Sequence, residues 1–328
     1  MSKEDFYSLT PNHVLDAIDR VGFRTTGELL QLNSYENRVF EVSLEPGTSS
    51  HQKVIAKFYR PHRWSQACIL EEHDFIHDLM QAGLPVVAPL KIQDDKKSST
   101  LSLQNGLWMA LFPKARGRLV QELGEKELIR LGRSLAQMHN IGEQKKFTHR
   151  PTLSSENYGW HNLEILENRI AVEVRSRYLN AAEDVLYFLE DRLDPLAKIR
   201  IHCDVHKGNI LEVDQADSVR EFFFVDFDDC AMGHPVQDFW MLLPGQDEET
   251  VFDLEALLEG YSEFRHFNRE DLELIPALRG LRIIHYAAWI ARRWEDPSFP
   301  RLFPQYEDYN YWAAETEALE AILKKIEP

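Results

Sequence analysis

The sequence predicts an α+β fold of two lobes, a small sheet-rich N-terminal lobe followed by a larger helical C-terminal lobe. Strand-like patterns dominate up to about residue 112, and helical periodicity dominates from about residue 114 onward. A chain of 328 residues is also long for a single hydrophobic core. We therefore place the N-terminal lobe at residues 1–113 and the C-terminal lobe at residues 114–328.

The N-terminal lobe begins with a helix signal and continues with strand signals. Thr10 followed by Pro11 is an N-cap with proline at the first helical position, which predicts a short helix to about Arg20. Alternating apolar residues predict a strand at 40–44, and a short apolar run predicts another at 54–58. The further expected elements are a weak strand before Ser34, a helix from Ile69 to Gln81, and two strands flanking a polar turn at 94–99.

The C-terminal lobe is mainly helical by pattern, with one β interruption. Two strand-like segments, Ile210-Leu211 and 222–227, are joined by a polar turn. A hinge between the lobes is expected at Phe112 and the segment 113–117. The amphipathic helices are predicted at Leu128–Asn140, Ala181–Leu193, Leu254–Phe264, Leu278–Trp294 and Tyr309–Lys325.

Composition limits the possible partners. The formal net charge is −17, from 37 basic and 54 acidic side chains. Such a surface repels nucleic acids and anionic membranes, so any phosphate-handling site must be a local positive pocket. The charged N-terminus, the lack of an apolar run of about 20 residues and three widely spaced cysteines indicate a reduced, cytoplasmic protein. We expect a monomer.

The strongest chemical signal lies at 202–209 and 224–227. Phosphoryl transfer needs a positioned hydroxyl and neutralised phosphate charge. Asp204 can hold and deprotonate the acceptor hydroxyl, and Asn209, five residues later, offers an uncharged oxygen to Mg²⁺. Asp226, at the end of the next strand, can bridge the metal to the nucleotide phosphates, and we count it with Asp204 as catalytic. The order Asp-x-x-x-x-Asn, hairpin, Asp-Phe therefore predicts ATP as substrate and Mg²⁺ as its metal.

The nucleotide also needs a positive contact from the N-terminal lobe. Lys57 lies near the end of a strand-like run, where a lysine contacts the α- and β-phosphates. Its carboxylate partner should lie on the following helix. Glu72 is the preferred partner because Phe75 and Leu79 then follow on the same face, and Glu71 is the alternative.

Further nucleotide contacts are expected from a loop and from the hinge. No glycine-rich sequence precedes the lysine, and Ser34-Tyr35-Glu36-Asn37 takes the equivalent position. Ser34 and Asn37 tolerate turn geometry and can direct hydroxyl, amide or backbone N–H groups at phosphates. In the hinge we assign Phe112 and Ala115 to the nucleotide site.

Residues around the catalytic aspartate have supporting or open roles. His202 and Asp238 are expected to brace the loop by hydrogen bonds. His206 is either another brace or a residue that faces the substrate, and His139 is expected to be a core histidine. Cys203 is either a buried packing residue or the site of an oxidation switch.

A helix from Ala277 to Trp294 is basic within an acidic chain. It can bind a phosphate or an acidic acceptor beside the active site, or its Tyr286 and Trp289 stripe can simply pack the C-terminal lobe. It has no acidic residue and carries Arg279, Arg282, His285, Arg292 and Arg293.

The motifs also resemble a known family. His-x-Asp-x-His-x-Gly-Asn-Ile-Leu at 202–211, Val-Asp-Phe-Asp-Asp at 225–229, and Gly233, Pro235 and Asp238 are similar to the aminoglycoside phosphotransferase and choline kinase group. The resemblance runs from about residue 25 to the C-terminus and implies a bilobal protein-kinase-like fold. Within the group, the segments 34–40 and 284–294 resemble a bacterial branch of Ser/Thr protein kinases. That branch implies a protein hydroxyl as acceptor, with autophosphorylation expected.

The chain departs from eukaryotic protein kinases in three places. Cys203 replaces the usual arginine, Asp228 replaces the glycine of Asp-Phe-Gly, and no Ala-Pro-Glu segment follows. Two alternatives to a protein kinase stay open: a small-molecule kinase for an aminoglycoside, choline or homoserine, and a nucleotide-binding pseudokinase. The intact Lys57, Asp204, Asn209 and Asp226 argue against the pseudokinase.

Overall fold

A computed structural model describes residues 6, 9–47, 49–92, 98–103, 106–214 and 220–326. Its N-terminal part is built on one antiparallel sheet with the strand order β1-β2-β3-β5-β4. Helix α1, Pro11–Arg20, precedes the sheet and starts at Thr10, whose hydroxyl accepts a hydrogen bond from the His13 N–H. The strands are β1 Thr25–Leu32, β2 Arg38–Leu44, β3 Lys53–Phe58, β4 Leu101–Ser102 and β5 Trp108–Pro113.

One face of this sheet forms a core of its own with α1. Alternate residues of β2 and β3 point to the same face because the side-chain period of a strand is two. This face packs against the apolar side of the helix, and its buried members include Phe40, Val42, Val54, Phe58, Val14 and Ile18.

Helix α2, Gln66–Gln81, joins the sheet to the rest of the molecule. The Ser65 hydroxyl caps its N-terminus by accepting from the Cys68 N–H, and Gly83, with φ of +86°, ends it in the left-handed conformation. Phe75 and Leu79 on its buried face belong to the large hydrophobic cluster of the C-terminal helices. The lobe boundary near residue 113 therefore stays a prediction, because the packing of α2 crosses it.

The C-terminal part holds most of the helices around this large cluster. Helices α3 and α7 cross closely, since a Cβ on Gly132 or Gly260 would overlap the backbone of the facing helix. The helices are α3 Glu125–Glu143, α4 His161–Leu166, α5 Arg175–Arg192, α6 Val236–Leu242, α7 Glu248–Ser262, α8 Ile275–Arg292, α9 Phe299–Leu302 and α10 Tyr309–Ile326.

In the described residues of this part, two small sheets and four short turns of helix accompany the long helices. The first sheet has the order β6-β8-β9, with β6 at Arg118–Leu119, β8 at Ile210–Asp214 and β9 at Arg220–Phe224. The second sheet pairs β7, Ile199–Ile201, with β10, Ala231–Gly233. The segment 202–209 runs from β7 to β8, so two small sheets frame the loop that carries Asp204. The short turns are a π-helical one at Glu156–Trp160 and 3₁₀ turns at Lys207–Asn209, Phe227–Asp229 and Arg269–Leu274.

The predicted fold class is confirmed, and the long predicted helices are present with ends displaced by a few residues. The single β interruption predicted for the C-terminal part is incomplete, because the short strands β6, β7 and β10 are also present. One strand prediction in the N-terminal part is wrong. Residues 88–92 are not a strand, and β4 and β5 flank residues 103–107 instead of the turn at 94–99, whose residues 94–97 lie outside the described ranges. Leu90 and Ile92 make single backbone hydrogen bonds, to the carbonyls of Leu111 and Ser98, without forming a ladder. Burial explains their apolar character there.

Helices α4, α6 and α9 have four to seven residues, too few to show a helical period, and the sequence does not reveal them. Among the helices of the described ranges, none is both long and apolar enough to cross a bilayer.

Candidate active site

The loop 202–209, called here the candidate catalytic loop, is shaped by one buried carboxylate. Asp238 on α6 is fully buried, and its two oxygens accept from the backbone N–H groups of His202, at 3.2 Å, and Cys203, at 2.8 Å. These bonds hold Cys203 in the left-handed conformation, with φ of +71°. The Cys203 side chain is buried, and burial raises the pKa of its thiol well above the usual value.

Asp238 is itself held from behind. His139 on α3 bonds Asp238 through Nε2 at 2.9 Å and Tyr261 on α7 through Nδ1 at 2.9 Å, with both His139 and Tyr261 buried. The Nε2 of His202 bonds the Val225 carbonyl at 3.0 Å. A network of buried hydrogen bonds thus fixes the candidate catalytic loop to three helices and to the segment after β9.

Asp204 stands at the centre of this loop. The Asn209 amide donates to the Asp204 carbonyl at 2.9 Å and to its carboxylate at 3.3 Å. Arg282 on α8 and His206 lie 3.3 and 3.5 Å from the carboxylate. Burial raises the pKa of Asp204, but the His206 hydrogen bond and the Arg282 charge outweigh it and leave a pKa of about 2. The Asp204 carboxylate is therefore ionised at neutral pH.

Asn209 and Asp226 offer oxygen ligands of the kind that Mg²⁺ prefers. The two residues are tied by a 3.0 Å bond from the Val225 N–H to the Asn209 carbonyl. The Asn209 amide nitrogen is used by Asp204, while within the described ranges its amide oxygen has no hydrogen-bond partner. Asp226 is left-handed, with φ of +58°, and its side chain is half exposed. The donor set fits Mg²⁺ that shares its shell with substrate phosphates.

Lys57 on β3 meets three carboxylates. Its Nζ lies 3.1 Å from Asp226, 3.0 Å from Asp228 and 3.6 Å from Glu72, and its side chain is 8% exposed. Burial lowers the pKa of Lys57, but these negative charges outweigh burial and raise it well above the usual value. Burial raises the pKa of Glu72 to about 7. The lysine is charged and reaches the candidate metal ligand directly.

Of the two glutamates considered for Lys57, the structure pairs it with Glu72. Glu71 points away and accepts from the backbone N–H groups of Thr148, His149 and Arg150, at 2.6 to 2.9 Å. The neighbouring glutamates on α2 thus have separate partners, because positions i and i+1 on a helix face different directions.

The β1–β2 loop, residues 33–37, lies beside Asp228. The Ser34 hydroxyl accepts from the Asn37 N–H at 3.2 Å and is exposed. The Asn37 amide donates to Asp228 at 3.2 Å and accepts from the Arg60 N–H at 3.1 Å. Both polar atoms of the Asn37 side chain therefore hold the loop in place, which leaves Ser34 and backbone N–H groups for a phosphate.

Glu36 in the same loop is a residue that the sequence analysis missed. Its carboxylate lies 3.0 Å from Arg60, 3.5 Å from Arg63 and 2.5 Å from Arg293, the residue that follows α8. It also accepts from the Trp289 indole at 2.7 Å. The sequence does not show that these residues meet, because Trp289 on α8 and Arg293 directly after it lie more than 250 residues further along the chain.

Arg150 is a second residue that the sequence analysis missed. Its guanidinium is buried and donates to the carbonyls of Cys230, at 2.9 Å, and Phe227, at 3.3 Å, and to that of Asp228. It also stacks on the Trp64 ring, 4.3 Å from the centroid. It holds the turn that follows Asp226.

The proposed hinge residues lie at the edge of the sheet. Phe112 is half-buried near the end of β5, and its ring centroid is 5.9 Å from that of His73. Ala115 is half-buried in the segment between β5 and β6. Their contact with adenine stays a prediction.

The basic helix, α8, combines the two features considered for it, arginines next to the candidate site and aromatic packing. Arg282 reaches Asp204, and Arg292 and Arg293 line a cavity of about 590 Å³. Tyr286 and Trp289 stack on one another, with their ring centroids 5.5 Å apart. Charge and aromatic packing thus coexist on α8, and its charged side adjoins the candidate catalytic loop.

The profile of the phosphotransferase enzyme family, APH, matches residues 28–275, and the chain belongs to this family. Stress response kinase A of Escherichia coli K12 is 35% identical over 318 residues, which cover 95% of this chain and 92% of that protein. Serine/threonine protein kinase RdoA of Salmonella typhimurium LT2 is 35% identical over 315 residues, with the same shares. These relatives confirm the narrower resemblance at 34–40 and 284–294.

Solved structures agree on the fold. The amicoumacin kinase hAmiN, in complex with AMP-PNP, Ca²⁺ and its ligand, matches with a TM-score of 0.75 and 20% identity over 96% of each chain. A microcompartment-associated aminopropanol kinase matches with a TM-score of 0.74 and 19% identity, over 97% of this chain and 98% of that one.

Proposed function

We propose that the chain is a Mg²⁺- and ATP-dependent Ser/Thr protein kinase. The observation that carries the proposal is the proximity of four side chains that phosphoryl transfer can use: Lys57 contacts Asp226, and Asn209 bonds Asp204 and, through its carbonyl, the Val225 N–H. This proposal includes ATP as the phosphoryl donor and a protein hydroxyl as the acceptor.

Asp204 acts as the base in this proposal. Its ionised carboxylate accepts the proton of the acceptor hydroxyl, while the hydroxyl oxygen bonds the γ-phosphorus and the bond to the β-phosphate oxygen breaks, releasing ADP. Arg282 and His206 orient the carboxylate from two sides. Lys57 supplies positive charge to the α- and β-phosphates, and Glu72 and Asp228 hold its ammonium group in position.

The metal would be held by the Asn209 amide oxygen and the Asp226 carboxylate. When bound, Mg²⁺ supplies charge neutralisation at the β- and γ-phosphates. Ser34 and the backbone of the β1–β2 loop would cover the phosphates from the other side.

A protein acceptor is favoured over a cationic small molecule by the names of the curated relatives and by the positive charge of Arg282. One curated relative is named a stress response kinase, and another is named a serine/threonine protein kinase. Arg282 on α8 stands next to Asp204, and a cationic drug or choline would meet this positive charge at close range.

The experiment incubates the purified chain with labelled ATP and Mg²⁺, alone and with generic protein substrates, and maps phosphate by mass spectrometry. Label on serine or threonine, absent with Asp204→Asn, supports the proposal. Label absent from every protein but present on an amino alcohol or aminoglycoside contradicts the acceptor class. No label on any acceptor contradicts kinase activity and favours the pseudokinase.

A small-molecule kinase is the second candidate, favoured by one observation. The cavity beside α8, of about 590 Å³, is in the size range of sites for small ligands. The solved neighbours include kinases named for amicoumacin and aminopropanol. A panel of aminoglycosides, choline and homoserine, run beside the protein substrates, separates the two.

We also propose that the lobes divide at residue 113/114 and that the chain works as a monomer in the cytoplasm. The three cysteines, which are all free and buried, agree with a reducing compartment. Sedimentation velocity tests the monomer, and fractionation of cells tests the compartment.

A further inference from the structure

A cavity of about 590 Å³ lies between the β3–α2 connection and the C-terminal end of α8. A smaller cavity adjoins it and shares three of its lining residues, Tyr158, Asp229 and His285. The smaller cavity is also lined by Cys203 and Arg282, and Arg282 contacts Asp204. The larger cavity is therefore separated from the candidate catalytic loop only by this smaller one.

The arginines of the cavity wall differ in their partners. Arg60 pairs with Glu36 and Asp296, Arg63 with Asp228 and Asp229, and Arg293 with Glu36. Arg292 is exposed, and in the part of the chain that the structure describes no carboxylate lies within ion-pair distance of it. Arg292 is therefore a positive charge in the cavity wall without a carboxylate partner among the described residues.

A buried asparagine holds Arg292 and a neighbouring histidine in place. Asn162 on α4 is fully buried; its amide oxygen accepts from Arg292, and its amide nitrogen bonds His285 Nδ1 at 3.2 Å. The ring of His285 also lies against Tyr158, with centroids 4.7 Å apart. Ordering a long arginine side chain costs conformational entropy, and a buried partner for it indicates that its position matters.

His285 presents a hydrogen-bond donor beside that charge. Burial and the surrounding arginines lower the pKa of His285 to about 3, so the ring is neutral at pH 7. Since Nδ1 accepts from Asn162, the ring hydrogen is on Nε2. A guanidinium and a neutral N–H donor, oriented by the same asparagine, suit an oxyanion.

We propose that this cavity binds an oxyanion of the acceptor protein, a carboxylate or a phosphoryl group near the acceptor hydroxyl, with Arg292 as its ion-pair partner and His285 as a hydrogen-bond donor. The inference rests on the proposed function, because it assigns the cavity to the acceptor. A chain of net charge −17 repels acidic proteins at long range, so such a local positive site is needed to hold one.

The test measures binding directly, by fluorescence anisotropy, with the full chain and three labelled peptides. Each peptide has one serine flanked by glutamate, by phosphoserine or by glutamine. The glutamate or the phosphoserine peptide should bind about tenfold more tightly than the glutamine peptide, and the tighter of the two identifies the oxyanion. Binding should weaken as salt rises.

Arg292→Gln should remove most of this preference, on the order of tenfold, and Arg292→Lys should restore part of it. Arg301→Gln, an exposed arginine outside the cavity with the same charge change, is the matched control. Unfolding temperatures of all variants establish that they are folded. Equal binding of the three peptides, or the same loss with Arg292→Gln as with Arg301→Gln, would overturn the site.

Asp204→Asn separates this inference from the proposed function. The variant should lose phosphoryl transfer and keep peptide binding. If the wild-type chain transfers no phosphate but binding still depends on Arg292, the kinase proposal fails and the oxyanion site stands. If transfer to acidic proteins occurs and Arg292→Gln leaves its KM unchanged, the site fails and the kinase proposal stands.

Discussion

The candidate catalytic loop and the β1–β2 loop both contact the segment 225–228 but are stabilised differently. The candidate catalytic loop is held by buried hydrogen bonds within the C-terminal part, centred on Asp238, His139 and Tyr261. The β1–β2 loop is held by the Asn37 hydrogen bonds and by ion pairs between Glu36 and arginines that follow β3 and α8. One loop is fixed in position, whereas the other depends on how the two halves of the molecule meet.

This difference has a physical consequence. Buried hydrogen bonds in a low dielectric are little affected by salt, and losing one leaves an unpaired buried group. The Glu36 ion pairs, whose side chains are 10–13% exposed, instead position the loop that is proposed to cover the phosphates. Damage to the candidate catalytic loop should therefore reduce turnover or stability, whereas damage to the β1–β2 loop should mainly change nucleotide affinity.

The largest expected effect is on turnover, from Asp204→Asn. We expect kcat to fall by on the order of 10²–10⁴, the usual range for losing a general base, while fold and nucleotide binding are retained. Steady-state kinetics and nucleotide titration measure the two. Near wild-type turnover in the folded variant would remove Asp204 from its assigned role.

The next effect is on stability, from Asp238→Ala. The change leaves His139 and two backbone N–H groups unpaired in the interior, so we expect a loss of about 3–5 kcal/mol in the free energy of unfolding. Urea titration measures it, with Asp191→Ala, an exposed aspartate, as control. A loss under about 1 kcal/mol would mean that the candidate catalytic loop is not held as described.

Asp226→Ala and Asn209→Ala should both raise the magnesium requirement, by roughly 10–100-fold. Asp226→Ala should have the larger effect because only Asp226 brings a formal charge. The measurement is activity against magnesium concentration at saturating ATP. An unchanged magnesium dependence in both variants argues against the metal site.

Glu36→Gln tests the β1–β2 loop. Removing its charge loosens the loop from three arginines, and we expect the KM for ATP to rise about 3–10-fold, with a smaller loss of stability than Asp238→Ala causes. Glu28→Gln, an exposed residue of β1, is the control. A greater loss of stability than with Asp238→Ala would reverse the contrast between the two loops.

The smallest effect concerns pH. The folded pKa of Asp204, about 2, is below its ordinary value near 3.8, so its stabilising contribution is present above pH 3.8 and is lost as pH falls through about 2. Asp204 should therefore produce no acidic limb in kcat/KM above about pH 4. His206→Gln removes a partner and should raise the Asp204 pKa, measured by carboxyl NMR. An unchanged Asp204 pKa in this variant would mean that Arg282, and not His206, lowers it.

Sequence patterns predicted much of the fold because they are local. Periodicity identified the long helices, and the spacing of Asp204, Asn209 and Asp226 predicted residues that the structure brings together. Glu72 was preferred over Glu71 because the buried face of α2 could be read from its apolar residues. The segment 88–92 was wrongly predicted as a strand, because buried apolar residues need not form a ladder. The short helices were not predicted, because four to seven residues are too few to show a helical period.

The sequence by itself determined the main chemical groups of the candidate site, Asp204, Asn209 and Asp226, because loop motifs place them at fixed spacing along the chain. Only the tertiary structure decided how those groups are held and charged. Glu36 meets Arg293 and Asn162 meets Arg292 across long stretches of chain, and no local pattern encodes such contacts. The low pKa of Asp204 likewise arises because the His206 hydrogen bond and the charge of Arg282, which lies 78 residues further along the chain, outweigh the effect of burial.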